Sequence, residues 1–250
     1  MEAKGTKTSS GVFVADDFRD NLIVDRYDNL FAAMRGEKLN HLRSENSEDV
    51  LTWNVFRSLQ KVDPSIWLPA FFDRALHTAL PKQSRVLTLD LWPTLTPPPA
   101  LRLFQKDEGE SEIDVRIEAE GFLCFLEAKY KSDISTRTKN NPDRDQIIRN
   151  LDLGTWYAGV RDFYFVLIVI DEARSADGIA LLKRYATSRD EVLQRLPHRT
   201  DGLKNLKGTG TVTWSDMAGI LRQCERAAVH EDERQTARRA ADWLASKKIE

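Results

Sequence analysis

Residues 112–130 read EIDVRIEAEGFLCFLEAKY, and the two halves of this stretch carry different patterns. Before Glu120 and Gly121 the residues alternate. Ile113, Val115 and Ile117 fall on one side of an extended chain, and Glu112, Asp114, Arg116 and Glu118 on the other. Period-two alternation predicts a strand with one covered face. Beyond Gly121 both sides are apolar, with Leu123 and Phe125 on one and Phe122, Cys124 and Leu126 on the other, as in a central strand covered twice. A two-residue turn at Glu120 and Gly121 closes the pair into a hairpin. That register sets Asp114 opposite Glu127, and Glu112 opposite Lys129. Directly opposed Cβ atoms stand about 4.5–5.5 Å apart. Two carboxylates at that spacing repel unless positive charge lies between them, and a hard divalent cation bound by carboxylate oxygens supplies it. Lys129 projects from the same face as Glu127.

Working outward, Leu22, Ile23, Tyr27, Leu30, Phe31 and Met34 fall at helical spacing and predict a helix over 17–35. Ser47 suits the N-cap of a second helix through Val50, Trp53, Phe56 and Leu59, and Pro64 suits the first turn of a third. Residues 85–92 alternate as a strand, Pro97, Pro98 and Pro99 break the chain, and 101–105 read as a short strand. Downstream, the pattern predicts a loop over 131–142, a helix over 143–157, a buried strand over 162–171 and helix over 178–196. A short strand over 209–214 and helices over 215–224 and 232–246 follow. Residues 1–11 are polar and read as a disordered lead-in to a single domain over 12–250. Helices, a strand meander, then helix–strand–helix–strand indicate an α/β fold, with one central mixed sheet flanked by helices.

Composition excludes several classes. Charged residues make up 30% of 250 and the net charge is −2, so nucleic-acid contact has to rest on a local patch. Residues 129–149 supply one, with Lys129, Lys131, Arg137, Lys139, Arg144 and Arg149 against Asp133, Asp143 and Asp145. Such cations beside a reactive site could grip phosphates, although a solvated polar loop has the same composition. The two cysteines and four histidines lack zinc-ligand spacing. Nothing resembles a signal-peptide core, and the longest apolar run, 163–170, is too short to cross a bilayer, so a cytoplasmic location is expected. Gly-rich phosphate loops, nucleophile elbows and H-E-x-x-H are absent.

Ile113-Asp114, an intervening strand turn and Glu127-Ala128-Lys129 together resemble the PD-(D/E)XK nuclease superfamily, with Ile in place of the usual Pro. The order of elements over about 44–215 matches as well. The resemblance implies a restriction-endonuclease-like core (αβββαβ) with extra N-terminal helices and a helical extension over 216–250. It implies that Asp114 and Glu127 bind Mg²⁺ or Mn²⁺ and that Lys129 positions or activates the attacking water. Many members add a Glu from an early helix, which points to Glu48 with Glu45 as the fallback, and several carry a Gln where Gln146 stands. The expected activity is Mg²⁺-dependent hydrolysis of DNA phosphodiester bonds leaving 5′-phosphates, in a setting such as restriction or phage defence. Cutting both strands of a duplex favours a homodimer. The competing expectation is a catalytically inactive protein of the same fold, serving as a nucleic-acid or protein binding module, in which the same charges form a buried ion network.

Overall fold

The computed structural model describes residues 4–81, 86–103, 109–137 and 144–250. The chain divides into two units, Met1–Trp67 with Ser215–Glu250, and Leu68–Trp214. The first unit begins inside the expected lead-in. The exposed β1 (Gly5–Lys7), which polar composition hid, pairs antiparallel with β2 (Phe13–Ala15). The helix expected over 17–35 is replaced by a 3₁₀ turn at Phe18–Asn21, α1 (Leu30–Ala33) and α2 (Gly36–His41). The physical reason lies in where the backbone bonds go. Asp17 Oδ1 accepts the Arg19 N–H, Ile23 N donates to Asn54 Oδ1, and Trp53 Nε1 donates to Val24 O. Asp25, at φ 45°, then turns the chain. Asn54 and Trp53 belong to α3 (Glu48–Leu59), whose N-cap is Ser47, its hydroxyl accepting from Val50 N as expected.

α4 (Pro64–Leu76) leads into the second unit from Leu68 onward. β3 (Val86–Leu91) follows, and the next residue, Trp92, sits at φ 55°, a left-handed backbone that bulky residues rarely adopt. The chain turns there into β4 (Thr94–Leu95), a 3₁₀ turn at Pro99–Leu103 and β5 (Ser111–Glu112). Of the short strand expected over 101–105, residues 101–103 are therefore not strand, and 104–105 lie outside the described residues. Leu101 N bonds Pro98 O, and the fixed proline torsion favours the tight turn. β4 and β5 form their own ribbon, with Thr94 opposite Glu112. This breaks the expected strand over 112–118 in two, and only its second part, β6 (Val115–Ala119), joins the main sheet.

β7 (Phe122–Ala128) is buried at every position, α5 (Gln146–Ala158) follows, and β8 (Asp162–Val169) is buried beyond its first residue. The helix expected over 178–196 is two, α6 (Ala176–Thr187) and α7 (Arg189–Arg195), because Ser188 ends one and accepts the Glu191 N–H to cap the other. β9 (Leu206–Thr213) completes a five-stranded sheet of order β3-β6-β7-β8-β9. β6 runs antiparallel to both of its neighbours, β3 and β7, whereas β7, β8 and β9 run parallel. Ile147, Ile148, Leu151, Ile179 and Leu182 of α5 and α6 pack with Leu123, Phe125, Phe163 and Phe165 of the sheet. On the other face, the Phe72 ring of α4 meets Phe122 and Tyr164 edge-on at centroid distances of 5.0 and 5.2 Å. The second unit is thus an α/β fold with a mixed sheet between helices.

α8 (Trp214–Ala227) and α9 (Glu231–Ser246) return the chain to the first unit, where α9 packs on α3. Arg238 and Arg222 converge on Glu225 in a surface ion-pair network.

Candidate functional site

The β6–β7 hairpin has the register that the sequence pattern predicts. Val115 pairs with Leu126, Arg116 with Phe125, Ile117 with Cys124 and Glu118 with Leu123. Asp114, expected within the strand opposite Glu127, lies in a bend one residue before β6. The Asp114 carboxylate accepts the Ala128 N–H through Oδ2 at 2.8 Å, which holds it beside the end of β7. Asp114 is kept there from behind as well, because its carbonyl accepts Trp92 N while Ile113 N donates to Pro93 O. Glu112, by contrast, has left with β5 and does not face Lys129.

Glu127 is 2% exposed and Lys129 8% exposed, so both charges are out of water. A buried carboxylate is costly unless it is paired and hydrogen-bonded. Lys129 Nζ donates to Glu127 Oε1 at 2.8 Å. Gln146 Nε2 donates to the same oxygen, and Asn150 Nδ2 reaches Oε2 at 3.0 Å. The two amides stand one helical turn apart on α5, and hence on one face of it. α5 is aimed by its own cap, Asp145 Oδ1 accepting Ile148 N, and Asp145 is tied in turn to the Tyr185 hydroxyl. Ser135 N donates to Gln146 Oε1, which leaves the amide nitrogen of Gln146 to face Glu127. The carbonyl of Lys129 accepts the Trp214 indole N–H at 2.9 Å, fixing the chain after β7. Glu127 and Lys129 lie at the carboxyl end of β7, beside its parallel neighbour β8, the side of the sheet on which open α/β folds bind ligands.

Two carboxylates with a lysine suit a hard divalent cation. Among the described residues no group of three or more His, Cys, Asp or Glu side chains could hold a metal. This does not exclude Mg²⁺, which is commonly held by one or two carboxylates with waters and substrate phosphates. The donor set fits such an ion.

Glu48 occupies the first position of α3, half-buried, in the first unit. Glu45 is engaged by the backbone of β2, its Oε1 accepting Phe13 N at 2.6 Å. The basic cluster divides. Lys131 and Arg137 are exposed, with the Lys131 ammonium 5.2 Å from the Tyr130 ring centre, and Lys139 lies outside the described residues. Arg144 is 1% exposed and pairs with Asp152 at 3.0 Å. Arg149 clips α5 to the preceding ribbon through Ser111 Oγ and Glu110 O. Neither presents a free guanidinium to a phosphate, because charge counting along the chain cannot see a buried partner.

Two features escaped the sequence reading. Asn150 does so although a polar residue between Ile147, Ile148 and Leu151 on a buried helix face is a visible anomaly. The second is the cluster at Asp152, whose Oδ2 accepts from His198 Nε2 at 2.8 Å and from Arg144, and whose Oδ1 accepts from Arg199. Burial works to raise the Asp152 pKa, but the His198 hydrogen bond and the Arg144 and His198 charges outweigh it and hold the carboxyl below its usual range. Both cysteines are free and buried; burial pushes the Cys224 thiol up to about 12 and Cys124 higher still, as expected of packing residues. Among the described residues no helix is long and apolar enough to cross a membrane. Comparison with protein-family models, with curated proteins and with solved structures finds no match to this chain.

Proposed function

We propose that this protein is a metal-dependent nuclease of the PD-(D/E)XK type, hydrolysing DNA phosphodiester bonds at Asp114, Glu127 and Lys129. One observation carries the reading: the Asp114 carboxylate is bonded to the backbone of Ala128, between Glu127 and Lys129. The element order supports it. α4, the antiparallel strands β3, β6 and β7, then α5 and the parallel β8 follow the αβββαβ sequence of the restriction-endonuclease-like core.

Asp114 and Glu127 would hold Mg²⁺ or Mn²⁺, which when bound supplies charge neutralisation at the phosphoryl group and a more acidic water. Lys129 already donates from Nζ on the Glu127 side of the site, where an ammonium can orient a water and stabilise charge growing on phosphoryl oxygens. Gln146, bonded to Glu127 Oε1, anchors that oxygen to α5. Lys131 and Arg137, exposed just after β7, offer phosphate contacts beside the site. The test is cleavage of duplex DNA with Mg²⁺ or Mn²⁺. Asp114→Asn, Glu127→Gln and Lys129→Ala are each expected to lower the rate by about 10²–10³-fold. Undiminished cleavage by Asp114→Asn withdraws the assignment.

A second reading, a nuclease-fold binding module without activity, is favoured by one observation. Lys129, Gln146 and Asn150 already balance Glu127 within the protein. Calorimetry with Mn²⁺ separates the two, since a metal site takes up the ion and gains thermal stability from it, whereas a self-sufficient ion network does neither.

A further inference from the structure

We infer that Asn150 is a positioning residue for the metal site, acting through Glu127 to fix the plane of its carboxylate. The inference rests on the metal-site reading above.

Asn150 is 4% exposed and shares its side of α5 with Gln146, flanked by the buried Ile147 and Leu153. Asparagine is a poor helix former, and its buried amide costs free energy unless bonded. A leucine there would serve packing and helix formation better, so the local sequence runs against both. What the amide does is donate to Glu127 Oε2 at 3.0 Å. The other two donors, Lys129 and Gln146, share Oε1. Contacts to one oxygen leave the carboxylate able to rotate about its bond to the side chain. A third donor on the opposite oxygen removes that freedom. The three donors come from two elements, β7's end and α5, so the carboxylate is referenced to the sheet and to the helix together. Partners of this outer kind set the orientation of a ligand without touching the ion, and their loss typically costs about 10–100-fold in metal affinity.

The experiment is Mn²⁺ titration by calorimetry on the full chain without nucleic acid, each variant first checked for folding by its thermal melt. Asn150→Leu keeps the branched skeleton of the side chain and removes the amide, whereas Asn150→Ala removes both. Each is expected to weaken Mn²⁺ binding about 10–100-fold. In a Glu127→Gln background the same changes are expected to add almost nothing, since the group they act through is gone. If Asn150→Leu binds Mn²⁺ like the unaltered chain and only Asn150→Ala is impaired, the residue serves packing and the inference is overturned. An undiminished loss in the Glu127→Gln background overturns it too. Failure of the unaltered chain to take up Mn²⁺ is a distinct result, which removes the metal-site reading and this inference with it.

Discussion

A carboxylate as deeply buried as Glu127 sets the terms for its neighbours. Lys129 is the one full positive charge bonded to it among the contacts described above, at 2.8 Å, while Gln146 and Asn150 contribute dipoles. Replacing Lys129 by Met leaves the amides in place but strands the charge. Breaking a buried pair from one side usually costs about 3–5 kcal/mol, and the two remaining donors place this case at the lower end. A divalent cation between Asp114 and Glu127 would compete with the same ammonium. Lys129→Met is therefore expected to melt lower than the unaltered chain without metal, and to gain more thermal stability from Mn²⁺ than the unaltered chain does. Melting curves with and without Mn²⁺ check this; an equal gain in both proteins would mean that the lysine and the ion do not contend for one carboxylate. At this scale the sequence showed Asp114, Glu127 and Lys129, because strand alternation places side chains without knowledge of the rest of the fold. It could not show that Glu112 departs. That depends on the left-handed backbone at Trp92, which no alternation pattern encodes.

Helix α5 carries Gln146 and Asn150 to the site, so how close it lies on the sheet matters. Gly154 sets that distance: a Cβ there would fall 1.9 Å from the Phe163 ring, itself fully buried in β8. Helix propensity alone favours Gly154→Ala by about 1 kcal/mol. Overpacking against a rigid ring costs about 1–3 kcal/mol, and the overlap points to the upper part of that range. Gly154→Ala is thus expected to lower the urea midpoint despite adding a better helix former. A raised midpoint would show that the helix shifts freely. α3, whose bonds are internal and whose N-cap is Ser47, and β7 and β8, whose apolar runs record cover on both faces, were legible in the sequence. Segments whose apolar pattern does not match their bonds were not. Residues 17–35 hang on Asn54 and Trp53 of α3, and their apolar spacing mimics a helix that their hydrogen bonds do not make. β1 was hidden for the opposite reason, since an exposed three-residue strand carries no apolar pattern at all.

For the molecule as a whole, acid sensitivity follows from carboxylates that folding holds below their ordinary range, and both units contain them. In the first, burial opposes but Lys61 and Arg57 prevail in lowering the pKa of Asp25. In the second, Asp201 is lowered chiefly by its hydrogen bond to Arg199, and Asp152 by His198 and Arg144 against the effect of its own burial. A carboxyl whose folded pKa lies below the unfolded value of 3.8 stabilises the fold fully above that value. The contribution is lost as pH falls through the folded value. Asp152 is the most deeply placed of the three, with a fully buried side chain, so its share is least screened by water. Asp152→Asn keeps the shape but leaves Arg144 and Arg199 facing a neutral amide. At about pH 7 it is expected to be less stable than the unaltered chain by about 3–5 kcal/mol. The gap should narrow at about pH 3, because below 3.8 the unfolded chain takes up a proton on Asp152 that the folded chain, with its lowered pKa, binds less readily. Urea unfolding of both proteins at the two pH values measures it. A gap of constant size would mean that the ionised carboxylate is not what holds the loop bearing His198 and Arg199 to α5.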